Sequence, residues 1–317
     1  MTPVKVMVAG ATSVIGLPVT KQLLQAGHDV VGLTRDPQRA ALVEAGGARS
    51  RIVDVLDRDA TVHAVRDECP DVVLSLLITL PRYGPRRLRD FAPSMALWRT
   101  GVPNLIAGAH AAGARRFVAE SMIFAYGYRR FPQTLTEDDL YPGPPPSGIG
   151  GAEMLDALRR METGVLEFGD SNHQGIVLRY GIFHGGGVPH SGYMTSLAKL
   201  WLMPVPTGGG VLSWIELGDA VDATVAAALS DTANGVYNVV DDEPVSFRDY
   251  MDSLAASLRR PRPLPFPRSV LGLAAPYAAQ AFGGVELRVA NDRAKRDLDW
   301  RLRYPNKDAL FAGGLDG

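Results

Sequence analysis

The 317-residue chain exceeds the length of one typical domain and can bury a large core. Its composition, with 46% hydrophobic and 21% charged residues, is typical of a globular protein and excludes wholesale disorder. The formal net charge of −1 and the absence of a long basic run argue against nucleic acid as the main partner, because phosphate neutralisation needs clustered Lys and Arg.

The cysteine count and the hydropathy pattern bear on the compartment. Cys69 is the only cysteine, which excludes a disulfide framework and a thiolate zinc site and is typical of a reducing cytoplasm. The first apolar run is too short for a signal peptide, and no stretch reaches the ~20 apolar residues needed to span a bilayer. We therefore expect a soluble cytoplasmic protein with no membrane partner.

The first predicted unit is a strand over residues 4–8, a glycine turn, and a helix over residues 14–26. Gly10 permits a sharp backbone turn, and a side chain at Gly16 would hold the helix away from the strand. The unpaired N–H groups of the first helical turn then face a pyrophosphate, and the helix dipole favours its negative charge. This unit predicts a dinucleotide phosphate site.

Strands and helices alternate along the rest of the first 240 residues. This alternation predicts a Rossmann-type α/β fold, a doubly wound parallel sheet with right-handed crossovers. Residues 138–150, rich in Pro and Gly, are predicted to form an ordered loop. The predicted strands are 29–34, 51–55, 71–78, 116–120, 175–179, 213–215 and 236–240, and the predicted helices are 37–44 with Asp36 as N-cap, 57–67, 87–112, 153–168, 197–202 and 218–230.

The pattern changes after Tyr180, where glycine triplets bracket an apolar segment and a Pro-rich helical tail follows. We predict a dinucleotide-binding Rossmann domain over residues 1–183 and 211–240. A smaller substrate-binding subdomain is predicted over residues 184–210 and 241–317. The substrate is then expected in the crevice between them, at the carboxyl ends of the strands.

Several segments, in order, match the motifs of one known superfamily. Residues 8–16 (VAGATSVIG) resemble V-T-G-A-T-G-F-I-G, residues 113–118 (GARRFV) resemble G-(V/A)-x-R-F-V, and residues 178–181 (LRYG) resemble L-R-x-G. Residues 121–127, 213–220 and 294–300 match further motifs, so that the similarity covers nearly the whole chain. The chain resembles the extended short-chain dehydrogenase/reductases, or NAD-dependent epimerase/dehydratase family. The resemblance implies a nicotinamide cofactor and a small-molecule substrate.

The differences from this superfamily affect the proton-transfer residues. The resemblance implies a Tyr, lowered in pKa by a Lys four residues later, that exchanges a proton while hydride moves to or from the nicotinamide. Counted back from the helix, that Tyr would fall near Pro145 and the Lys near Ile149, where no Tyr-x-x-x-Lys occurs, and the assisting Ser would fall on Met122. Ser13 replaces the middle glycine, and Glu216 replaces a usual His. We therefore expect an atypical member without the standard catalytic apparatus.

The predicted cofactor is NADP, with NAD the less favoured alternative. Arg35 directly follows the second strand, where a fold that prefers NAD has an Asp or Glu on the ribose 2′-hydroxyl. Arg35, with Arg39, would suit a 2′-phosphate; the alternative is a solvated loop arginine. Asp54 either contacts adenine, as the resemblance implies, or caps the next helix. The predicted cofactor-binding residues are Gly10, Thr12, Ser13, Val14, Ile15, Gly16, Arg35, Asp54, Val55, Leu76, Ala119 and Glu120.

Four side chains are candidates for a displaced acid or base: Ser121, Tyr126, Tyr180 and His184. Ser121 and Glu120 end a strand at the nicotinamide pocket, so we expect both to face it. The tyrosines, with Tyr128, are either phenolic acids or packing residues. His184 and the nearby His190 are either proton carriers near neutral pH or solvated loop residues. The two histidines have no third residue nearby that would complete a metal site. The arginines at 82, 86, 87 and 89 either hold an anionic substrate or form a solvated helix face.

Three hypotheses for function follow. The first is an NADP-dependent oxidoreductase or epimerase acting on a small carbonyl or hydroxyl substrate, such as a sugar or secondary metabolite. The second is a redox-neutral lyase, isomerase or cyclase on the same fold, and the third is a non-catalytic NADP-binding sensor. The helices predicted at 87–112 and 153–168 resemble the pair through which the superfamily dimerises, so a homodimer is expected. The Ala-, Arg-, Gly- and Pro-rich composition suits a bacterial origin.

Overall fold

The computed structural model describes residues 2–139 and 151–312 and contains the predicted alternation of strands and helices. The strands are β1 (Lys5–Ala9), β2 (Asp29–Thr34), β3 (Arg49–Ile52), β4 (Val72–Ser75), β5 (Arg116–Met122), β6 (Gln174–Tyr180), β7 (Ile182–His184), β8 (Val205–Pro206), β9 (Val211–Leu212), β10 (Trp214–Glu216), β11 (Gly235–Val239), β12 (Val245–Ser246) and β13 (Pro265–Phe266).

The helices cover both faces of the sheet and continue into the C-terminal part. They are α1 (Gly16–Gln25), α2 (Pro37–Ala45), α3 (Arg58–Glu68), α4 (Ala92–Ala96), α5 (Val102–Ala112), α6 (Ala152–Phe168), α7 (Pro189–Lys199), α8 (Leu217–Leu229), α9 (Phe247–Ser257), α10 (Arg268–Ala274), α11 (Pro276–Gly284), α12 (Asp292–Asp297) and α13 (Lys307–Ala312). Among residues 2–139 and 151–312, no helix combines the length and the apolar character needed to cross a bilayer.

Seven strands form one parallel sheet in the order β11-β6-β5-β4-β1-β2-β3. The chain proceeds outward from β1 to β3, returns to β4 on the other side of β1, and continues outward to β11. This reversal beside β1 is the topological switch point at which such sheets bind ligands. The predicted Rossmann-type α/β fold is therefore confirmed, and so is the return of the strand near residue 236 to the sheet.

Alternate residues of each strand face opposite sides of the sheet and pack into two separate cores. One core, on the side of α5 and α6, includes Met7, Val31, Val73, Phe117, Ala119, Leu105 and Leu158. The other, on the side of α1 and α8, includes Val6, Val30, Leu74, Val118, Leu178, Val19 and Ala220. Whether a residue occupies an odd or an even position along its strand, its parity, therefore determines which side of the sheet its side chain faces.

Two predicted helices differ from the structure. The predicted helix 87–112 is a 3₁₀ turn (Leu88–Phe91), α4, a wide π-helical turn (Leu97–Gly101) and α5, which ends at Gly113 with φ +70°. The wide turn precedes Pro103, which lacks an N–H for the i−4 carbonyl. The helical segment predicted around 197–202 overlaps only the end of α7, which begins at Pro189 and ends at Lys199, and the chain turns away at Trp201, which has φ +60°.

The strands outside the central sheet form short pairs, β7 with β10, β8 with β13 and β9 with β12. Of these strands, β8, β12 and β13 fall in the predicted substrate subdomain, whereas β7, β9 and β10 fall wholly or mainly in the segments predicted for the Rossmann domain. The division into two domains stays a prediction. Tyr83, in the loop after β4, contacts Tyr193 of α7, with ring centroids 4.6 Å apart. This contact brings α7 to the carboxyl edge of the sheet, where the candidate site lies.

Candidate functional site

The glycine turn after β1 packs closely against the end of β4. Gly10 has φ +87°, and a Cβ there would lie 2.2 Å from the carbonyl oxygen of Leu76. A Cβ at Gly16 would lie 2.1 Å from the carbonyl oxygen of Gly10. Backbone contacts therefore require glycine at both positions, as the motif predicts.

Ser13, at the position of the middle glycine, stabilises the turn. Its Oγ accepts a hydrogen bond from the Gly16 N–H at 2.9 Å, and its own N–H donates to the Gly10 carbonyl at 2.8 Å. Among the described residues, the N–H groups of Val14 and Ile15 have no hydrogen-bond partner. Two free donors at the positive end of α1 suit the diphosphate of a dinucleotide. The turn thus fits a nucleotide although one glycine is replaced.

Two arginines lie on the β2 side of this turn. Arg35 is exposed directly after β2, and the Nη1 of Arg39 on α2 lies 3.5 Å from Thr12 Oγ1. Arg39 Nε is 3.9 Å from the Asp36 carboxylate, and both side chains are exposed. In an open sheet with a phosphate on the β1 turn, this side receives the adenosine ribose.

Asp54 follows β3 and is exposed, with its carboxylate accepting a hydrogen bond from the Leu56 N–H at 3.1 Å. The cap of α3 is Asp57, whose side chain accepts from the Ala60 N–H at 3.0 Å. The alternative in which Asp54 caps this helix is therefore wrong, while its adenine contact stays a prediction. The side-chain amide of Asn104 in α5 donates a hydrogen bond to the Val55 carbonyl at 2.9 Å, which anchors the loop after β3 to α5.

Ser121 faces away from Glu120, because adjacent strand residues alternate. The Ser121 hydroxyl donates to Glu162 Oε1 of α6 at 2.6 Å, and only 1% of Ser121 is exposed. The expectation that both residues face the nicotinamide pocket is thus wrong. Ser121 is part of the α6 side of the core.

A buried ion pair lies behind Ser121. Arg179 of β6 donates through Nη2 to Glu162 Oε2 at 2.6 Å and through Nε to Oε1 at 2.9 Å, and neither side chain is exposed. The guanidinium also lies 4.5 Å from the ring centroid of Tyr126. Glu162 is a site residue that was not predicted, although its spacing from Leu158 and Val165 places it on the apolar stripe of α6.

The candidate tyrosines have partners inside the protein. Tyr126 donates to the Thr136 carbonyl at 2.9 Å, the hydroxyls of Tyr128 and Tyr277 are 2.9 Å apart, and those of Tyr180 and Thr224 are 2.6 Å apart. Burial raises the pKa of the Tyr126, Tyr128 and Tyr180 phenols above the usual value. This geometry favours the packing interpretation for each tyrosine, and their catalytic assignments stay predictions.

His184 is buried and His190 is half-buried, so the solvated-loop alternative is wrong for His184. His184 is buried, with ring centroids 6.0 Å from Trp214 and 5.7 Å from Tyr250, and burial lowers its pKa to about 3. His190 Nε2 lies 2.8 Å from the Phe183 carbonyl, and burial lowers the pKa of His190 as well. His184 is therefore neutral near pH 7, and the structure gives no support for its assignment as a proton carrier there.

Glu120 is a buried titratable group at the carboxyl edge of the sheet. Its side chain is 8% exposed, and desolvation by burial raises the pKa of its carboxyl to about 8. No hydrogen bond or ion pair to it occurs within residues 2–139 and 151–312. At pH 7 this carboxyl is therefore mainly protonated in the free protein.

The raised pKa of Glu120 predicts a pH dependence of stability. The unfolded chain loses this proton near pH 4.5 and the folded chain near pH 8, so stability is fully present below pH 4.5 and falls as the pH rises to about 8. In thermal unfolding between pH 5.5 and 8.5, Glu120→Gln should remove much of the decline. Glu167→Gln, the same change on the exposed face of α6, should keep it; identical profiles for both variants would contradict the assignment.

The positions of the missing apparatus are only partly described. Met122, at the position of the assisting Ser, is half-buried at the end of β5, and Pro145 and Ile149 lie outside the described residues. Among residues 2–139 and 151–312, no group of three His, Cys, Asp or Glu could hold a metal ion.

In the arginine-rich loop, Asp90 Oδ2 accepts from the N–H groups of Arg86 at 2.8 Å and Arg87 at 2.9 Å, which orders this segment.

Comparison with known proteins agrees with this geometry. Residues 10–143 match the family described as NAD(P)H-binding. The chain is 37% identical to a 3-diazoavenalumate denitrifying reductase from Streptomyces, over 96% of this chain and 99% of the relative. The crystal structure of human epimerase family protein SDR39U1 with NADPH superposes with a TM-score of 0.79 at 18% identity, covering 98% of both chains. A Thermus thermophilus UDP-glucose 4-epimerase in complex with NAD superposes with a TM-score of 0.75 at 20% identity, covering 98% of this chain and 99% of that one.

Proposed function

Because the chain belongs to the NAD(P)-binding short-chain dehydrogenase/reductase superfamily, we propose that it is an NADP-dependent reductase of a small aromatic diazonium compound, which it converts with loss of N₂. The observation that carries this proposal is the replacement of the proton-transfer residues. By the resemblance, Met122 stands at the position of the Ser, the Tyr and Lys are expected near Pro145 and Ile149, and no Tyr-x-x-x-Lys sequence occurs there. The side chains of Met122, Pro145 and Ile149 cannot donate a proton.

The chemistry of a diazonium carbon explains why no donor is needed. Reduction of a carbonyl leaves an alkoxide that must take up a proton, so an enzyme supplies an acid at that oxygen. At a diazonium carbon, the hydride electron pair forms a C–H bond while the C–N bond breaks and its electron pair leaves with N₂. Charge and atoms balance without a proton. The name of the 37% identical relative supports the same class of substrate.

The residues of this chain would hold the cofactor and shape the pocket. The nicotinamide, when bound, supplies the hydride. The N–H groups of Val14 and Ile15 bind the diphosphate, and Arg35 and Arg39 bind the 2′-phosphate. Met122 offers the reacting carbon an apolar wall instead of a hydroxyl. Pairing of two chains through α5 and α6, which the resemblance implies, is part of the proposal.

A second candidate is the reduction or epimerisation of a carbonyl or hydroxyl substrate. Glu120 favours it, because a carboxyl that is protonated at pH 7 can supply a proton near the end of β5. In that case Glu120 would replace the missing Tyr, and a diazo group would not be required.

The test uses purified protein with NADPH or NADH and either an aryl diazonium salt or a panel of small ketones. The expected result is enzyme-dependent loss of absorbance at the nicotinamide band with the diazonium salt, release of N₂, and transfer of deuterium from the 4-position of labelled NADPH to the product carbon. Samples without enzyme measure the spontaneous reaction. Turnover of ketones alone would favour the second candidate, and nucleotide binding without turnover would favour a sensor.

The arginines after β2 should determine the choice of nucleotide. Arg35→Asp and Arg39→Asp are each expected to weaken NADPH binding by about tenfold or more, because a charge-assisted contact to phosphate is lost and a repulsive carboxylate is added. NADH binding should change by less than about threefold. Calorimetric titration of both nucleotides measures the difference, and Arg58→Asp on the neighbouring helix is the control. Equal losses for the two nucleotides would remove the proposed phosphate contact.

A further inference from the structure

Glu120 shares its face of the sheet with apolar side chains. By parity it belongs to the side of Val118, where Leu76 and Leu178 pack and where α8 covers β5. Tyr180 is the titratable group that interacts electrostatically with Glu120, and its hydroxyl forms a hydrogen bond with the Thr224 hydroxyl of α8. The buried carboxylate of α8, Asp219, is instead paired with Arg303 at 3.4 Å. No neighbouring cation among the described residues offsets the charge of an ionised Glu120.

The sheet order places Glu120 under the nicotinamide half of a bound dinucleotide. Ser75 of β4 pairs with Ala119, so the next residues along, Leu76 and Glu120, are neighbours at the carboxyl edge. The carbonyl of Leu76 in turn borders the turn at Gly10. Arg35 and Arg39 lie on the opposite side of that turn, beyond β2. With its adenosine near the arginines and its diphosphate on the β1 turn, a dinucleotide must extend over β4 and β5, two strand spacings or roughly 10 Å away.

The oxidised and reduced forms of the nicotinamide ring, which would lie over Glu120, differ in charge. The ring is neutral in NADPH and carries a positive charge in NADP⁺. A carboxyl in apolar surroundings prefers its neutral form beside a neutral ring, and its ionised form beside a cation, because the attraction between opposite charges is strong at low effective dielectric.

We propose that Glu120 changes its protonation with the redox state of the bound nicotinamide: it keeps its proton in the free protein and beside NADPH, and releases it to solvent when NADP⁺ is bound. The proposal rests on the cofactor site proposed above. An ionised Glu120 would also stabilise the positive charge that develops on the ring as hydride leaves, and so would favour the reducing direction. Glu120 thereby acts on the cofactor and not on the substrate.

The experiment is calorimetric binding of NADP⁺ and of NADPH at pH 7, each in two buffers with different heats of ionisation, which gives the number of protons released. The wild-type protein should release close to one proton with NADP⁺ and close to none with NADPH, as linkage requires. Glu120→Gln should release close to none with either and should weaken NADP⁺ relative to NADPH by about tenfold. Glu167→Gln is the matched control and should behave as wild type.

Each outcome decides a different point. Equal proton release with both nucleotides, or unchanged release in Glu120→Gln, would overturn the role of Glu120 and leave the cofactor site intact. Failure of the wild-type protein to bind either nucleotide would overturn the proposed function itself. If Glu120→Gln does not fold, the pH dependence of wild-type affinity decides: NADP⁺ should bind more tightly as the pH rises from 6 to 8, and NADPH should not. Parallel profiles would contradict the proposal.

Discussion

Replacement of Gly10 by valine is expected to weaken NADPH binding by at least about 100-fold. The reason lies in the distance between the first glycine and the next strand: a Cβ at this position would lie 2.2 Å from the Leu76 carbonyl oxygen. The backbone at Gly10, with φ +87°, is also one that a β-branched residue rarely adopts. The turn must therefore move, and with it the N–H groups of Val14 and Ile15. Calorimetric titration with NADPH measures the loss.

Gly27 provides the matched control for this change. It has φ +85°, close to that of Gly10, but a Cβ there would have no atom within 4 Å. Gly27→Val therefore carries the backbone strain without the contact, and should lower thermal stability while leaving nucleotide affinity within about threefold of wild type. If Gly10→Val binds NADPH as wild type does, the glycine turn is not the phosphate site. If both variants lose affinity equally, general destabilisation explains the loss.

Local signals in the sequence predicted most of the first half of the fold. The glycine turn, the bounds of β2, and the cap of α2 by Asp36, which accepts from the Gln38 N–H at 2.9 Å, all agree with the structure. Each depends on residues within a few positions of one another. The breaks in the predicted helix 87–112 were less accessible, because a proline near the start of a helix segment and one inside a continuous helix give similar patterns.

The orientation of Ser121 could not be obtained in this way. Its prediction placed Glu120 and Ser121 at the end of a strand with bounds 116–120 and turned both side chains toward the pocket, without applying the alternation of side chains along the strand. The observed strand continues to Met122 and pairs with Tyr180 there, so strict alternation holds through Ser121. A difference of two residues at a strand end thus moved a candidate catalytic hydroxyl into the core. The burial of His184 depends likewise on the packing of Trp214 and Tyr250, which are distant in sequence.

Loss of the carboxylate of Glu162 is expected to cost 3–5 kcal/mol of unfolding free energy, the range for breaking a buried ion pair by removing one partner. Glu162→Leu leaves the guanidinium of Arg179 inside the protein without the carboxylate that it contacts at 2.6 Å. It also removes the acceptor of the Ser121 hydroxyl. Chemical denaturation followed by circular dichroism measures the loss.

Two control variants test whether the loss comes from leaving a charge buried without a partner or from breaking any ion pair. Glu153, on the same helix as Glu162, forms an exposed ion pair at 3.0 Å with Arg99 of the π-helical turn. Glu153→Ala breaks this pair and should cost less than about 1 kcal/mol. The double change Glu162→Leu with Arg179→Met should recover much of the loss, because no unpaired charge then stays buried. If Glu162→Leu were no worse than Glu153→Ala, the ion pair would not support this part of the core. If the folded double variant kept its NADPH affinity and turnover, the pair of Glu162 and Arg179 would be structural and would not contribute to binding or chemistry.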